Sequence, residues 1–438
     1  MAPAGARATL IVASLALLAG ACTRTPAGLS PAALDRAALR YAKLALALGV
    51  HDPDYVDAFY GPPEWKEAAA RDSLALTRII IEADSLVALL AAPPPPGTDE
   101  LPRLRQSFVR GQLRALAFRA RLLSGEKHSF DEESSAMYET VAPMRSDSSF
   151  APALAQLDSL LPGPGELVDR LDRFRRQFIV PEPRLEHVLH AAIDEARRRT
   201  RLHIALPDSE NFRLELVRHK PWSGYNWYQG GYQSLIQVNL DQPVYLDAVI
   251  NLAAHEGYPG HHVANILFEQ HLVREHGWRE FTVGPLFGPR GLIDEGSANV
   301  APEVAFPGAE RDAFEKRVLF PLAGLDTALY TRYRAVRSAL DSLSGSGIEN
   351  ARRYLDGRHS HEAAVAWSMR YGLQTRSRAE QMLSFDDRYR SYVVNYGLGK
   401  ALVLEWLERS GGGESNPEKR WKLFETLLST PRLPADLR

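Results

Sequence analysis

Along most of this chain apolar residues recur at the three- and four-residue spacing of helices that bury one face. Leu34, Ala38, Tyr41, Ala45 and Leu48 form one such stripe, which His51-Asp52-Pro53 should end. Leu185, Val188, Leu189, Ala192, Ile193 and Ala196 form a second, with the basic cluster Arg197 to Arg201 at its C-terminal end. Cations complement the negative end of a helix dipole, so that cluster reads as a solvated helix terminus and not as an anion pocket. Tyr60-Gly61-Pro62-Pro63, the Pro93 to Pro96 run and Leu161-Pro162-Gly163-Pro164-Gly165 punctuate the helical pattern.

Strand-like alternation is confined to Phe212–Val217 and Ser234–Leu240, which flank an aromatic, glycine-rich stretch from Trp222 to Tyr232. Two short strands around a glycine-rich turn predict a hairpin or small sheet. The expected fold is therefore mainly α, with one small β element. A further apolar face, Leu246, Val249, Ile250, Ala253 and Ala254, follows directly after it.

The composition changes this picture little. Of 438 residues, 52 are Lys or Arg and 54 Asp or Glu, giving a net charge of −2. That balance gives no reason to expect nucleic acid or an anionic membrane surface as partner. A single cysteine excludes an intrachain disulfide. It lies at Cys22, after the basic Arg7, the apolar run Leu10 to Leu18 and the small residues Ala19-Gly20-Ala21. Residues 1–21 thus read as a secretory signal. Leu18-Ala19-Gly20-Ala21-Cys22 resembles a bacterial lipobox, which implies lipidation of Cys22 and a tether over 22–30. Thr23 after the cysteine, by resemblance to enterobacterial sorting, implies the outer membrane. The membrane is then a partner only through the lipid. The remaining chain divides into an N-terminal helical region, 31–205, and a catalytic region, 206–438, expected to pack as one compact unit.

The candidate chemistry lies in His255-Glu256-Gly257-Tyr258-Pro259-Gly260-His261-His262. Imidazole is a common zinc ligand, and an adjacent glutamate can act as base toward water on the metal. In the familiar His-Glu-x-x-His helix the second ligand follows one turn later, but Pro259 occupies that position. A bulge at Pro259-Gly260 would bring His261 to the ion. In an unbroken helix His262 would return to the same face, but about 10 Å away along the axis. His261 is the preferred ligand, with His262 the alternative. A third ligand is expected from Ile293-Asp294-Glu295-Gly296, with Glu295 preferred to Asp294. Asn299, one turn on, is positioned to accept from a ligating histidine.

His-Glu-x-x-Pro-Gly-His-His followed downstream by Glu-Gly resembles the bacterial domain of unknown function 885 family, from about Tyr55 to the C-terminal helices. Ser297-Ala298-Asn299 departs from the residues that family often carries after Glu-Gly. The resemblance implies a large helical, zincin-like fold with a deep cleft, zinc, and peptidase activity of the gluzincin type. In that frame Glu256 is the general base. The segment Arg388 to Gly399 resembles the family's C-terminal Tyr-x-x-Gly segment, with Tyr389, Tyr392 and Tyr396 sharing a helical stripe. Tyr396 is the candidate oxyanion donor and Arg388 the candidate partner of a substrate carboxylate. The Ser234–Leu240 strand, including Asn239, is expected to pair with an extended peptide, and Tyr228 and Tyr232 to line its subsites. His359-Ser360-His361 opens a helix and reads as a cap. No nucleophile elbow, Walker loop or dinucleotide fingerprint is present.

The expected function is a lipid-anchored zinc peptidase acting on short peptides. The alternatives are a metal-dependent amidase on a non-peptide envelope substrate and a non-catalytic peptide-binding lipoprotein.

Overall fold

The computed structural model describes residues 28–220 and 222–438; Cys22, the signal sequence and most of the tether lie outside them. The fold is mainly α, 67% helix and 7% strand. The first predicted stripe forms α1 (Pro31–His51), where Ser30 caps the N-terminus by accepting from the Ala33 amide and Pro31 takes the first turn. All five predicted positions are buried. The chain then forms the short strand β1 (Val56–Phe59), which pairs antiparallel with β5 (Val283–Pro285). The second predicted stripe forms α2 (Glu182–Arg201) and is also fully buried.

The small sheet departs from the expected hairpin. The two alternating segments, β2 (Asn211–Val217) and β4 (Gln233–Asn239), do pair, but in parallel. The aromatic stretch between them is itself a strand, β3 (Gly224–Gly230), antiparallel to β4. Gly230 and Gly231 both have positive φ, so the tight return is made where no Cβ opposes it. The order is β2-β4-β3, which leaves β4 in the centre. Its backbone is already paired on both sides, so the predicted docking of a peptide on Ser234–Leu240 is not available. The free edge nearest the site is β3.

From the sheet the chain enters α3 (Leu246–Leu252), passes through a π-helical turn over Ala253–Gly257, and resumes as α4 (His261–Leu267). Further on come α5 (Pro289–Ala305), α6 (Arg376–Tyr389) and α7 (Val394–Arg409). The tyrosine stripe does not lie on one helix. The chain breaks after Tyr389, with Arg390 at φ +55, and passes through a 3-10 turn before α7. Glu133 fixes the break by accepting from Arg390 Nε, Ser391 N and Ser391 Oγ. These bonds offset a backbone strain of about 1–3 kcal/mol.

Among the described residues two large apolar cores, with residues on both sides of position 205 in each, stand beside a small third one around Val365 and Leu383. Helix α5 runs between the two large cores, giving Leu292 to one and Ile293 to the other. It is packed against α7 at Gly296 and Gly399. A Cβ on Gly296 would lie 2.5 Å from the Gly399 carbonyl, and one on Gly399 would lie 2.3 Å from the Leu292 oxygen. Only glycine at both positions lets these backbones touch. That contact sets Glu295 beside the tyrosines.

Candidate metal centre

The π-helical turn solves the problem that Pro259 poses. The Tyr258 amide donates to the Ala253 carbonyl at 2.9 Å, one residue beyond the α-helical reach. Gly260 then passes so close to the preceding turn that a Cβ would lie 2.0 Å from the His255 oxygen. The chain re-enters a helix at His261, with the Ala264 amide donating to Gly260 O. His261 is thereby returned to His255, as the predicted bulge requires. Asn226 of β3 steadies the turn by donating to the Glu256 carbonyl at 2.6 Å.

His255, His261 and Glu295 converge. The two Nε2 atoms are 3.2 Å apart, His255 Nε2 lies 3.5 Å from Glu295 Oε2, and His261 Nε2 lies 3.9 Å from Glu295 Oε1. Ligands at ordinary zinc distances on a tetrahedron stand about 3.3 Å from one another. The donor set is thus spaced for one ion. Glu295 Oε2 is buried with no hydrogen-bond partner among the described residues, whereas Oε1 accepts from Tyr392 Oη at 2.9 Å. An orphaned carboxylate oxygen facing two imidazoles is the observation that points to a cation.

The electrostatics agree. Burial, then the neighbouring His261, pushes His255 well below its ordinary pKa, and burial also lowers His261. Both rings are neutral, the form that ligates. Burial, with Glu295 and Asp57 nearby, raises Glu256 to about 8. Burial raises Glu295 to about 8 as well, against the hydrogen bond from Tyr392 and with Asp294 and Asp57 adding to the rise. Asp57 reaches about 7 through burial and Asp294. Crowded carboxyls with no guanidinium or ammonium among them lack a countercharge.

His262 does not join this group. Ser234 Oγ lies 2.7 Å from its Nδ1 and Glu210 Oε2 3.1 Å from its Nε2, with the ring fully buried. Asn299 donates its amide to the Glu295 backbone carbonyl at 2.7 Å; no bond to a histidine is formed. Asp294 is engaged by Arg290 at 2.7 Å, which leaves Glu295 as the converging carboxylate.

A cleft of about 1290 Å³ runs over the cluster, bounded by β3, by β1 and by the tyrosines. That is larger than a site for one small molecule and suits an extended chain. Tyr396 lines it, 37% exposed, and its hydroxyl makes no hydrogen bond among the described residues. Arg388 also lines it, but its Nε and Nη2 donate to the two oxygens of Asp54 at 2.7 Å each. Tyr228 reaches the cleft wall while its hydroxyl is tied to buried Glu269 at 2.6 Å. Tyr232 lies in the β3–β4 turn under Arg274, away from the cleft. Asn239 closes the preceding loop by donating to Lys220 O and Trp222 O, and is likewise not a cleft residue.

Sequence reasoning missed Asp57 and Asn226. Asp57 is a lone acid in the apolar run Tyr55 to Phe59, which is a signal in itself. The Arg197–Arg201 cluster does end its helix with Arg198 and Arg201 exposed, as expected, but its first and last members also hold buried Glu210 at 2.8 Å each, a pairing the sequence did not announce.

No family model matches this chain, and no curated protein matches it. Solved structures that match it include the following two. One is described as a putative lipoprotein from Colwellia psychrerythraea, at 13% identity and TM-score 0.52, covering 91% of this chain and 74% of its own. The other is described as a putative lipoprotein of unknown function from Shewanella oneidensis, at 13% identity and TM-score 0.42, covering 85% and 74%. At this identity the first likeness speaks to the fold alone, and the second carries no argument.

Proposed function

We propose that the protein is a zinc-dependent hydrolase of the cell envelope that cleaves short peptides, a gluzincin-like enzyme akin to the domain of unknown function 885 family. The observation that carries this reading is the convergence of two neutral imidazoles and an orphaned carboxylate oxygen, with a second carboxyl at Glu256 beside them. His255, His261 and Glu295 would hold the ion. When bound there, zinc supplies Lewis acidity to water and to a carbonyl oxygen.

The rest is work for the chain's own side chains. Glu256, with Oε1 3.9 Å from His255 Nε2, accepts the proton of the attacking water and returns it to the leaving amine. Tyr396, unbonded and at the cleft surface, donates to the developing oxyanion. The edge of β3 offers main-chain hydrogen bonds to an extended substrate, a mode open to the edge strand and closed to β4. The lipobox-like Cys22 and the fold likeness to a protein described as a putative lipoprotein both support a lipid-anchored place in the envelope.

Replacing Glu256 with Gln tests the reading. The variant should bind zinc as the parent does, by metal analysis, and lose on the order of 10³-fold in peptide turnover. Undiminished turnover would remove Glu256 as the base.

A further inference from the structure

Beside the cleft lies a second cavity of about 420 Å³, and Arg378 and Met382 of α6 line both. Arg378 differs from the other cleft arginines. Arg290, Arg311, Arg334, Arg337 and Arg388 each stand within 4.0 Å of a carboxylate. Arg378 has no acidic partner among the described residues, and its one side-chain bond is to Gln381 Oε1 at 2.7 Å. A guanidinium with free donors in a cleft is built for bidentate capture of a carboxylate.

The side cavity holds the complementary anomaly. Asp386 lines it at 4% exposure, with Oδ1 unbonded and no ion pair to either oxygen among the described residues. The cavity's other arginine, Arg175, is turned to Asp247 at 3.9 Å and to the Tyr245 ring. A buried carboxyl without a donor costs free energy that an incoming donor removes. Arg378 and Asp386 are eight residues apart on α6, about 12 Å along the axis. Both line the one cavity, so a single bound residue can address the two.

We propose that this cavity receives the C-terminal residue of the substrate, its α-carboxylate on Arg378 and a cationic side chain on Asp386. The substrate class is then peptides with a free, basic C-terminus. This deepens the hydrolase reading and rests on it for the position of the scissile bond.

The test uses three peptides that differ only at the end: lysine acid, lysine amide and leucine acid. The holoenzyme should prefer lysine acid to either of the others by at least about tenfold in kcat/KM, one bidentate or charge-assisted contact's worth. D386N should erase the lysine–leucine difference, and R378Q should erase the acid–amide difference. Equal use of lysine and leucine ends by the parent, or an undiminished preference in D386N, would overturn the proposal. Calorimetric titration of the parent with Nα-acetyl-lysine and with Nα-acetyl-norleucine needs neither turnover nor a variant. Binding of the first alone supports the pocket, and equal or absent binding overturns it. Selective binding in a protein that cuts no peptide would sink the hydrolase reading and leave the pocket standing.

Discussion

From eight consecutive residues, His255 to His262, the chain supplies the histidines of two buried histidine–glutamate clusters that differ in how far their glutamates are satisfied. His262 meets Glu210, and Glu210 is saturated: it accepts from Tyr258 at 2.5 Å, from Arg197 Nε at 2.9 Å and from Arg201 Nη2 at 2.8 Å. The bonds from His262, Tyr258 and Arg201 overcome the effect of burial and hold Glu210 down at about 2. His255 and His261 meet Glu295, whose Oε2 is bonded to nothing and whose pKa burial pushes up to about 8. The first cluster is complete without a ligand. The second is not, and buried incompleteness marks a site that something else must fill.

Removing a ligand should break this comparison most sharply. His255→Ala is expected to abolish stoichiometric zinc binding, measured by metal analysis after dialysis, while the same change at His262 leaves zinc in place. Retention of zinc by the His255 variant would show that the three atoms do not share an ion.

The next effect is on stability and belongs to the other cluster. Glu210→Gln leaves His262 and two arginines without their anion, and should cost about 3 kcal/mol in denaturant unfolding. The sign of its pH dependence follows from the depressed pKa. Its contribution is fully present above the ordinary 4.5 and is lost as pH falls toward about 2. The variant should therefore show a flatter acid limb than the parent. An unchanged acid limb would mean that Glu210 is not the group whose protonation destabilises the fold.

Much of this was legible in one dimension, for a reason. The stripes of α1 and α2 are set by period, and period survives in sequence. The order His255, Glu256, His261, Glu295 is legible because a metal centre demands particular side chains. The direction of strand pairing was not, since alternation says which face is buried and nothing about whether β2 runs with β4 or against it. The break at Arg390 was hidden because its cause, Glu133, is remote in the chain. The hold of Arg197 and Arg201 on Glu210 was hidden for the same reason: the dipole argument is local, and Glu210 lies in the loop beyond the helix.

The smallest effect separates the clusters most finely, because each has a tyrosine on its glutamate. Tyr392 donates to Glu295 and Tyr258 to Glu210. Phenylalanine keeps the ring, which in Tyr392 packs edge-on to Tyr138, Phe287 and Tyr396, so shape is conserved and only the hydroxyl is lost. At Tyr392 the lost bond would orient a ligating carboxylate, and such partners are worth about 10–100-fold in metal affinity. Tyr392→Phe should weaken zinc by that factor in a competitive chelator titration, with little change in melting temperature. Tyr258→Phe should do the reverse, lowering the melting temperature and leaving zinc affinity unchanged. If both variants lost stability and neither lost zinc, the two glutamates would be architectural alike, and the contrast between a saturated and an unsaturated cluster would have no functional content.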